Sequence, residues 1–356
     1  MLKSPNSPEI THWQPSQAMR ELLHLERLRE GKALLAFSGG VDSTALFHLL
    51  LENSISFDIA HVNYHTRPVS DDEALSAQKL AQSHSLHCYT HSCHLSGPNF
   101  ESHARKERYQ FFEYLMQKHH YTYLLTAHQL NDRLEWMLMQ LTRGCGLPEL
   151  LGIKSLDKRG NLSILRPLLQ HDREEIEEYL SEHNLSHFID ESNTDESYTR
   201  NRFRHRHSTP IMREHADAIR RSFRYLEEDN DDLIEPIVFQ TSDGLYWSEN
   251  PRTLRSLLYG IDQHLKSLGI LMSAPEKEEL KKVKSSIVSR QYAISIEENY
   301  TFIALYQSNI IMDKGFKEEC RKLKISPKLR GFLYGSRKAY TTMRRLKGLL
   351  KPLQCE

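Results

Sequence analysis

Ser38-Gly39-Gly40-Val41-Asp42-Ser43 follows the apolar run Ala33-Leu34-Leu35-Ala36-Phe37 and opens a segment, Ser43 to Glu52, whose apolar residues recur at helical spacing. A strand that stops at two glycines and restarts as a helix makes a tight turn, with backbone N–H groups able to approach a phosphate closely. The helix adds the positive end of its dipole, and Ser38 and Ser43 add hydroxyl donors. The loop has no lysine, so it is not the Gly-x-x-x-x-Gly-Lys-Ser/Thr loop of ordinary nucleotide hydrolases. Serine and aspartate are also common helix caps. Six matching residues in a strand–loop–helix setting outweigh that simpler reading.

Outward from the loop, the first half of the chain alternates strands and helices. Phe57 to Asn63, Leu86 to His91, Tyr121 to Ala127 and the short Ile164-Leu165 stretch before Arg166-Pro167 read as strands. Asp71 to Ser83, Phe100 to Lys118, Asn131 to Leu141 and Arg173 to Asn184 read as helices. Such alternation predicts an α/β fold with a doubly wound parallel sheet, whose ligands bind beyond the C-terminal strand ends. The pattern changes near Arg206. Thr209 to Leu226 reads as a helix, an acidic stretch from Glu227 to Glu235 follows, and residues 238–307 mix short strands with helices, including Arg252 to Leu268 and Glu276 to Val283. The expected organisation is a catalytic domain over 1–207, an α+β accessory region over 208–312 and a basic C-terminal region over 313–356.

The chain has 356 residues, with 47 basic and 47 acidic side chains, and this balance hides an asymmetry. From Asp313 to Glu356 there are 13 Lys/Arg against 4 Asp/Glu. Thr199 to Arg224 holds 8 Arg against Glu214 and Asp217. Segregated charge suggests polyanion contact, although either block alone reads more simply as a solvated helix face. No apolar run approaches the ~20 residues that span a bilayer, and no signal-peptide stretch follows Met1. With 5 cysteines at unrepeated spacings, the expectation is a protein of a reducing, cytoplasmic compartment, without membrane or disulfide scaffold.

Further motifs sit at the expected strand ends. Ala60-His61-Val62-Asn63 ends the second strand, and Asn99 to Tyr109 places Glu101, Ala104, Arg105, Arg108 and Tyr109 on a helix. Thr126-Ala127-His128 ends the fourth strand, with Asn131, Asp132 and Glu135 opening the helix after it. Asp132 and Glu135, three apart, share a helical face and suit a cation held by carboxylate oxygens. Leu141-Thr142-Arg143-Gly144-Cys145-Gly146 and Arg166-Pro167-Leu168-Leu169 follow. Last come Asp190-Glu191-Ser192-Asn193, Tyr198, Arg200, Asn201, Arg204 and Pro210. Singly, each has a plain alternative: acids complementing a helix dipole, arginines on a charged face, or core histidines for His61 and His128.

Together they resemble the lysine-free loop enzymes that cleave ATP between its α and β phosphates, and within them the tRNA(Ile)-lysidine synthetase family. The match runs from about Leu34 to Pro210. It implies an adenine-nucleotide α-hydrolase-like fold and a two-step ligation. The C2 oxygen of the wobble cytidine, in an isoleucine tRNA with a CAU anticodon, attacks the α-phosphorus of ATP; free L-lysine then displaces AMP. By this resemblance Ser38, Gly39, Gly40, Val41, Asp42 and Ser43 hold ATP and pyrophosphate, with His61 and Arg105 also at the nucleotide. Asp42 and Asp132 place Mg²⁺, Asp132 and Glu135 position metal or the lysine amine, and Asn193 and Arg204 contact nucleotide or activated cytidine. Arg105 and Arg108 meet phosphate of ATP or RNA.

The sequence departs from the family at Tyr64-His65-Thr66-Arg67, where His-Gly-Leu-Arg is usual. The rival readings are a related tRNA thiolase or amide synthetase, and an RNA-binding relative without chemistry. No Cys-x-x-Cys supports a zinc knuckle or iron–sulfur cluster. His84, His87, His91 and His94 around Cys88 and Cys93 read as a solvated helix end and edge strand rather than a metal tract. The basic tail, interleaved with Phe316, Phe332, Tyr334 and Tyr340, is expected to grip tRNA; the rival reading is that it completes the accessory domain, with Leu323, Ile325, Leu329 and Leu333 as core. The sequence leaves the oligomeric state open, a homodimer included.

Overall fold

The computed structural model describes residues 21–66, 70–94, 97, 100–188 and 195–348. Two compact units divide the chain between Glu227 and Glu228. In the first, strands β1 (Ala33–Ala36), β2 (Phe57–Asn63), β3 (Cys88–Ser92), β4 (Tyr123–Leu125), β5 (Leu156–Arg159) and β6 (Leu162–Leu165) form one sheet of order β3-β2-β1-β4-β6-β5. All pairs are parallel except β5 with β6, a hairpin edge that sequence reading did not separate from the fifth strand. The order reverses on either side of β1, so the switch point lies at the loop that follows it.

Strand alternation assigns β1 to two cores. Ala33, Leu35 and Phe37 join the cluster under the Val41–Glu52 and Arg173–Glu182 helices. Leu34 and Ala36 face Tyr109, Phe112, Leu115 and Met116 of the Phe100–His119 helix. Leu34 and Leu35 are fully buried, so truncating either to alanine should cost about 2–5 kcal/mol. Covering both faces with helices is what allows a near-continuous apolar strand.

In the second unit β7 (Gln240–Ser242), β8 (Leu245–Glu249), β9 (Ser285–Val288), β10 (Tyr292–Ile296) and β11 (Tyr300–Leu305) form an antiparallel sheet of order β7-β8-β11-β10-β9. One core holds Leu257, Leu258, Ile261 and Leu265 of the Leu254–Ser267 helix with Ile294 and Ile303. A second holds Cys320, Leu329, Phe332, Leu333, Ala339 and Met343, from the last three helices, with Trp247, Ala293 and Phe302. Residues 314–346 therefore share a core with this sheet instead of forming a separate basic region. The first division also falls later than the expected 207/208. The Thr209–Leu233 helix continues through the acidic stretch, and its Met212 and Phe223 pack against Leu130 and Leu134 of the first unit. Among the described residues no helix is long and apolar enough to cross a membrane.

Candidate active site

The loop after β1 is held from both sides. Gly39 has φ +79°, and a Cβ there would meet the Phe188 ring at 3.2 Å, so both conformation and space call for glycine. Phe188 N–H donates to the Gly39 carbonyl at 2.9 Å. The Ser43 hydroxyl donates to the Gly40 carbonyl at 3.1 Å and lies 3.0 Å from the Ser38 hydroxyl. Gly40 caps the Val41–Glu52 helix with no side-chain hydrogen bond to the first turn, which leaves that helix end suited to an external anion.

Ser38, Gly40, Val41, Asp42 and Ser43 line a cleft of about 600 Å³ with His61, Arg105, Arg108, His128, Asp132, Arg173, Arg200 and Arg204. The structure thus gathers residues from several strand ends and helix starts. Glu135 is 1 % exposed and lies behind Asp132, lining a smaller cavity with Arg204 and Asp172. Asn193, its neighbours Asp190 to Ser192, and Arg67 lie outside the described residues. Arg143 to Gly146 do not line the cleft, and Arg166 has a structural role: it donates to the Lys154 carbonyl at 2.6 Å.

Asp42 sits in the first turn of its helix. Burial pushes its carboxyl up to about 7, against the pull of the Arg173 guanidinium 3.5 Å away, and Asp132 adds to the rise. Asp42 Oδ1 is buried without a hydrogen-bond partner. A hard cation is the natural complement of such an oxygen, so Asp42 fits a Mg²⁺ site.

Asp132 is prepared in the opposite way. Its Oδ2 accepts from the Gln129 backbone N–H at 3.0 Å, closing a capping box, and its Oδ1 accepts from Arg200 at 2.5 Å. Burial would raise its pKa, but the arginines, His128 and that backbone bond bring it below the ordinary value. Glu135 is gripped by both arginines: Arg200 Nε donates at 2.9 Å and Arg204 Nε at 2.7 Å. Arg200 and Arg204 are one turn apart where the Thr199–Phe203 helix runs into a π-helical turn, Arg204–Ser208, a feature often found at functional sites. Within the arginine block Arg200 and Arg204 are therefore tied to buried acids, while Arg202, Arg213, Arg221 and Arg224 lie exposed, as a solvated face would. Arg206 pairs with Glu196, and Arg220 with Asp172, Glu175 and Asp217.

Two histidines present neutral rings to the cleft. His61 is buried, and burial lowers its pKa despite the 3.1 Å bond from Nδ1 to the Phe37 carbonyl. That bond makes Nδ1 the donor and Nε2 an acceptor. His128, beside the Thr126 hydroxyl at 2.9 Å, is pushed down to about 4 by burial, with Asp132 opposing. At the departure Tyr64-His65-Thr66, His65 has φ +52°, the left-handed conformation that a glycine adopts freely. Its ring stacks on His94 at 4.2 Å, and its Nε2 lies 2.6 Å from the Ser92 hydroxyl.

A lysine-free phosphate loop at the switch point of a parallel sheet, facing an acid-and-arginine cluster, defines an ATP-using enzyme of the PP-loop class. Residues 14–209 match the PP-loop domain family. A tRNA(Ile)-lysidine synthase of Wolinella succinogenes is 43% identical over 315 residues, covering 88% of this chain and 96% of that protein. One from Helicobacter pylori is 39% identical over 87% of this chain and 91% of its own length. The chain belongs to the tRNA(Ile)-lysidine synthase family. Among solved structures, a U34-tRNA thiolase of Methanococcus maripaludis, with its [4Fe-4S] cluster, shares the fold, with TM-score 0.52, 16% identity, 65% of this chain and 83% of that chain covered. Here, among the described residues, Cys88, Cys93, Cys145 and Cys320 are free and contribute none of the cleft lining.

Sequence reasoning missed Arg173 and Phe188 as site residues and gave Arg200 no role. Arg173 follows β6 and reaches Asp42 across 131 residues of chain, a contact no local motif encodes.

Proposed function

We propose that this enzyme adenylates the C2 oxygen of the wobble cytidine in the CAU-anticodon isoleucine tRNA and then joins free lysine to that carbon. In the first step the cytidine oxygen bonds to the α-phosphorus of ATP and the bond to the β-phosphate oxygen breaks, releasing pyrophosphate. In the second, the lysine ε-amine bonds to C2, the C2–O bond breaks, AMP leaves with the oxygen, and the amine proton goes to a base. A pyrimidine C2 oxygen is a poor leaving group, and adenylation makes it a good one.

The observation that carries this reading is the uncapped helix end at Gly40, with Asp42 Oδ1 unpartnered beside it. Ser38 to Ser43 would hold the ATP phosphates through backbone N–H groups and two hydroxyls. Asp42, with Asp132 across the cleft, would hold Mg²⁺, which when bound neutralises charge on the phosphates. His61 Nε2 offers an acceptor to the nucleotide, and Arg105 and Arg108 offer cations to phosphate. Glu135, already ionically matched by Arg200 and Arg204, keeps those guanidinia oriented toward charge developing at the reacting centre. Asp132, the one of the two acids that lines the cleft, is the carboxylate a lysine amine would meet there, with Glu135 behind it.

The exposed cations of the second unit are proposed to hold the tRNA body. Cys320, Ile325, Leu329 and Leu333 of this region are core, and Phe332 is buried, so stacking there falls to Tyr334, which is 40% exposed. Lys347 is pinned to Glu297 at 2.6 Å and the Leu323 carbonyl at 2.7 Å. Arg337, Lys338 and Arg345 are the exposed cations of the last helix.

Labelled lysine, ATP, MgCl₂ and total tRNA, incubated with the protein, test the reading. It requires lysine label in isoleucine tRNA with AMP and pyrophosphate as products and no turnover without Mg²⁺. ADP and orthophosphate as the main products would refute it.

A further inference from the structure

We propose that His91, Cys93 and Glu107, none of which lines the catalytic cleft, form a binding site for a divalent transition metal of the zinc class. One donor atom from each of the three lies within 4.8 Å of the others, and all three side chains are partly buried. Among the described residues no second set of three such donors comes as close.

The placement follows from two periodicities. His91 and Cys93 are two apart at the end of β3, so they share one face of the edge strand. That face meets the Phe100–His119 helix: Tyr89, two residues earlier, packs into the core beneath it. The His91 ring stacks on Phe111 with centroids 5.1 Å apart. Phe111 lies one turn beyond Glu107, so the packing that sets His91 against Phe111 sets Cys93 against Glu107. The pairing of β3 also runs on past its end, with Cys93 N–H donating to the Asn63 carbonyl at 2.9 Å, which fixes the cysteine backbone. Cys88 has the opposite parity and packs in the other core. His94 is engaged with His65. From a tract of four histidines and two cysteines the fold thus selects one of each and adds a carboxylate from a helix.

Imidazole, thiolate and carboxylate together suit Zn²⁺, which takes nitrogen and oxygen at about 2.0–2.2 Å and sulfur at about 2.3 Å in tetrahedral geometry. Such bond lengths need donors roughly 3.3–3.7 Å apart, a closure of about 1 Å that side-chain rotation supplies at a half-exposed site. Water fills the fourth position. Binding replaces the thiol proton of Cys93, released to solvent, by a sulfur–metal bond. Occupancy would tie the edge strand to the helix that carries Arg105 and Arg108 into the cleft.

The test is cobalt titration of the full-length, tag-free protein after chelator treatment, under reducing and anaerobic conditions. One equivalent of Co²⁺ should give a thiolate-to-cobalt charge-transfer band with the d–d bands of a tetrahedral ion, both abolished by added Zn²⁺. Cys93→Ser should remove the charge-transfer band and, like His91→Ala and Glu107→Gln, weaken affinity by at least about 10-fold, since loss of a ligand exceeds loss of its outer partners. Cys88→Ser and Cys145→Ser should change neither. Zn²⁺ should raise the melting temperature of the unaltered protein and not that of Cys93→Ser. A missing thiolate band, a band that survives Cys93→Ser, or equal affinity in all variants overturns the proposal.

Discussion

Asp42 and Asp132 occupy the same local position, the first turn of a helix that begins at the end of a parallel strand, and they face one cleft. Their electrostatic preparation is opposite. Asp42 has a buried, unpartnered oxygen and a carboxyl raised to about 7, whereas Asp132 has each oxygen bonded and a carboxyl held below the usual value. The difference lies in what the rest of the chain brings. Arg173 reaches Asp42 at a long 3.5 Å, while Arg200, with Arg204 beside it, closes on Asp132 and Glu135. One acid is left needing a cation and the other already has one. The sequence presents both as metal ligands, and the structure makes Asp42 the stronger candidate.

The largest effect should follow from removing the needy acid. Asp42→Ala should lower lysidine formation by at least ~100-fold, because charge neutralisation at the transferring phosphoryl is lost, with the melting temperature no lower than that of the unaltered protein. Near-normal turnover would make Asp42 an ordinary helix-start acid.

Breaking the clamp should act on the fold as well as on turnover. Arg204→Ala leaves buried Glu135 with one guanidinium and should destabilise by about 2–4 kcal/mol, read from denaturant unfolding. Arg204→Lys should recover only part of this, since an ammonium cannot reproduce the Nε and terminal-nitrogen bonds at 2.7 and 3.2 Å. Equal stability of all three proteins would mean the clamp is incidental.

A smaller effect concerns cation binding. Asp42 must lose its proton to hold Mg²⁺, so apparent Mg²⁺ affinity should weaken as pH falls below about 7, by up to about tenfold per pH unit. His128, down to about 4, stays neutral across that window and should not contribute. Isothermal titration at pH 6 and 8 checks this, and a flat profile would detach the cation from Asp42.

The weakest expected signal comes from the second unit. Charge reversal at Arg337, Lys338 and Arg345 should reduce the log–log salt slope of tRNA binding by somewhat under ~1 for each phosphate left without its cation. ATP binding should be unchanged, and an unaltered slope would leave those cations as solvated charge.

How far the sequence carries the reading depends on the range of the interactions. The phosphate loop, the parallel strands and the Asp132–Glu135 spacing are legible because each rests on residues within one strand–loop–helix unit. The division of labour between the acids is not legible, because it depends on Arg173, Arg200 and Arg204, 65 to 131 residues away. The helix end falls too early, at Leu226, because acids from Glu227 to Asp232 look like a solvated linker, although they continue the helix to Leu233. In the second unit, composition exposes the positive charge but not the sheet beneath it. The apolar residues of the tail complete a core with Trp247 and Phe302 that only the tertiary fold assembles.

The contrast between the two acids is tested most directly by the pH dependence of stability in Asp42→Asn and Asp132→Asn, without Mg²⁺ or nucleotide. For Asp42 the folded pKa lies above the unfolded value of 3.8, so the native state binds the extra proton and stability falls as pH rises toward about 7. Asp42→Asn should therefore gain on the unaltered protein across that window and hold the gain above it. For Asp132 the folded pKa lies below 3.8, so its ionised form stabilises the fold above the unfolded value, and this is lost on acidification. Asp132→Asn should be less stable at neutral pH and approach the unaltered protein in acid. Opposite signs at pH 8 are the predicted result; the same sign for both substitutions would contradict the account.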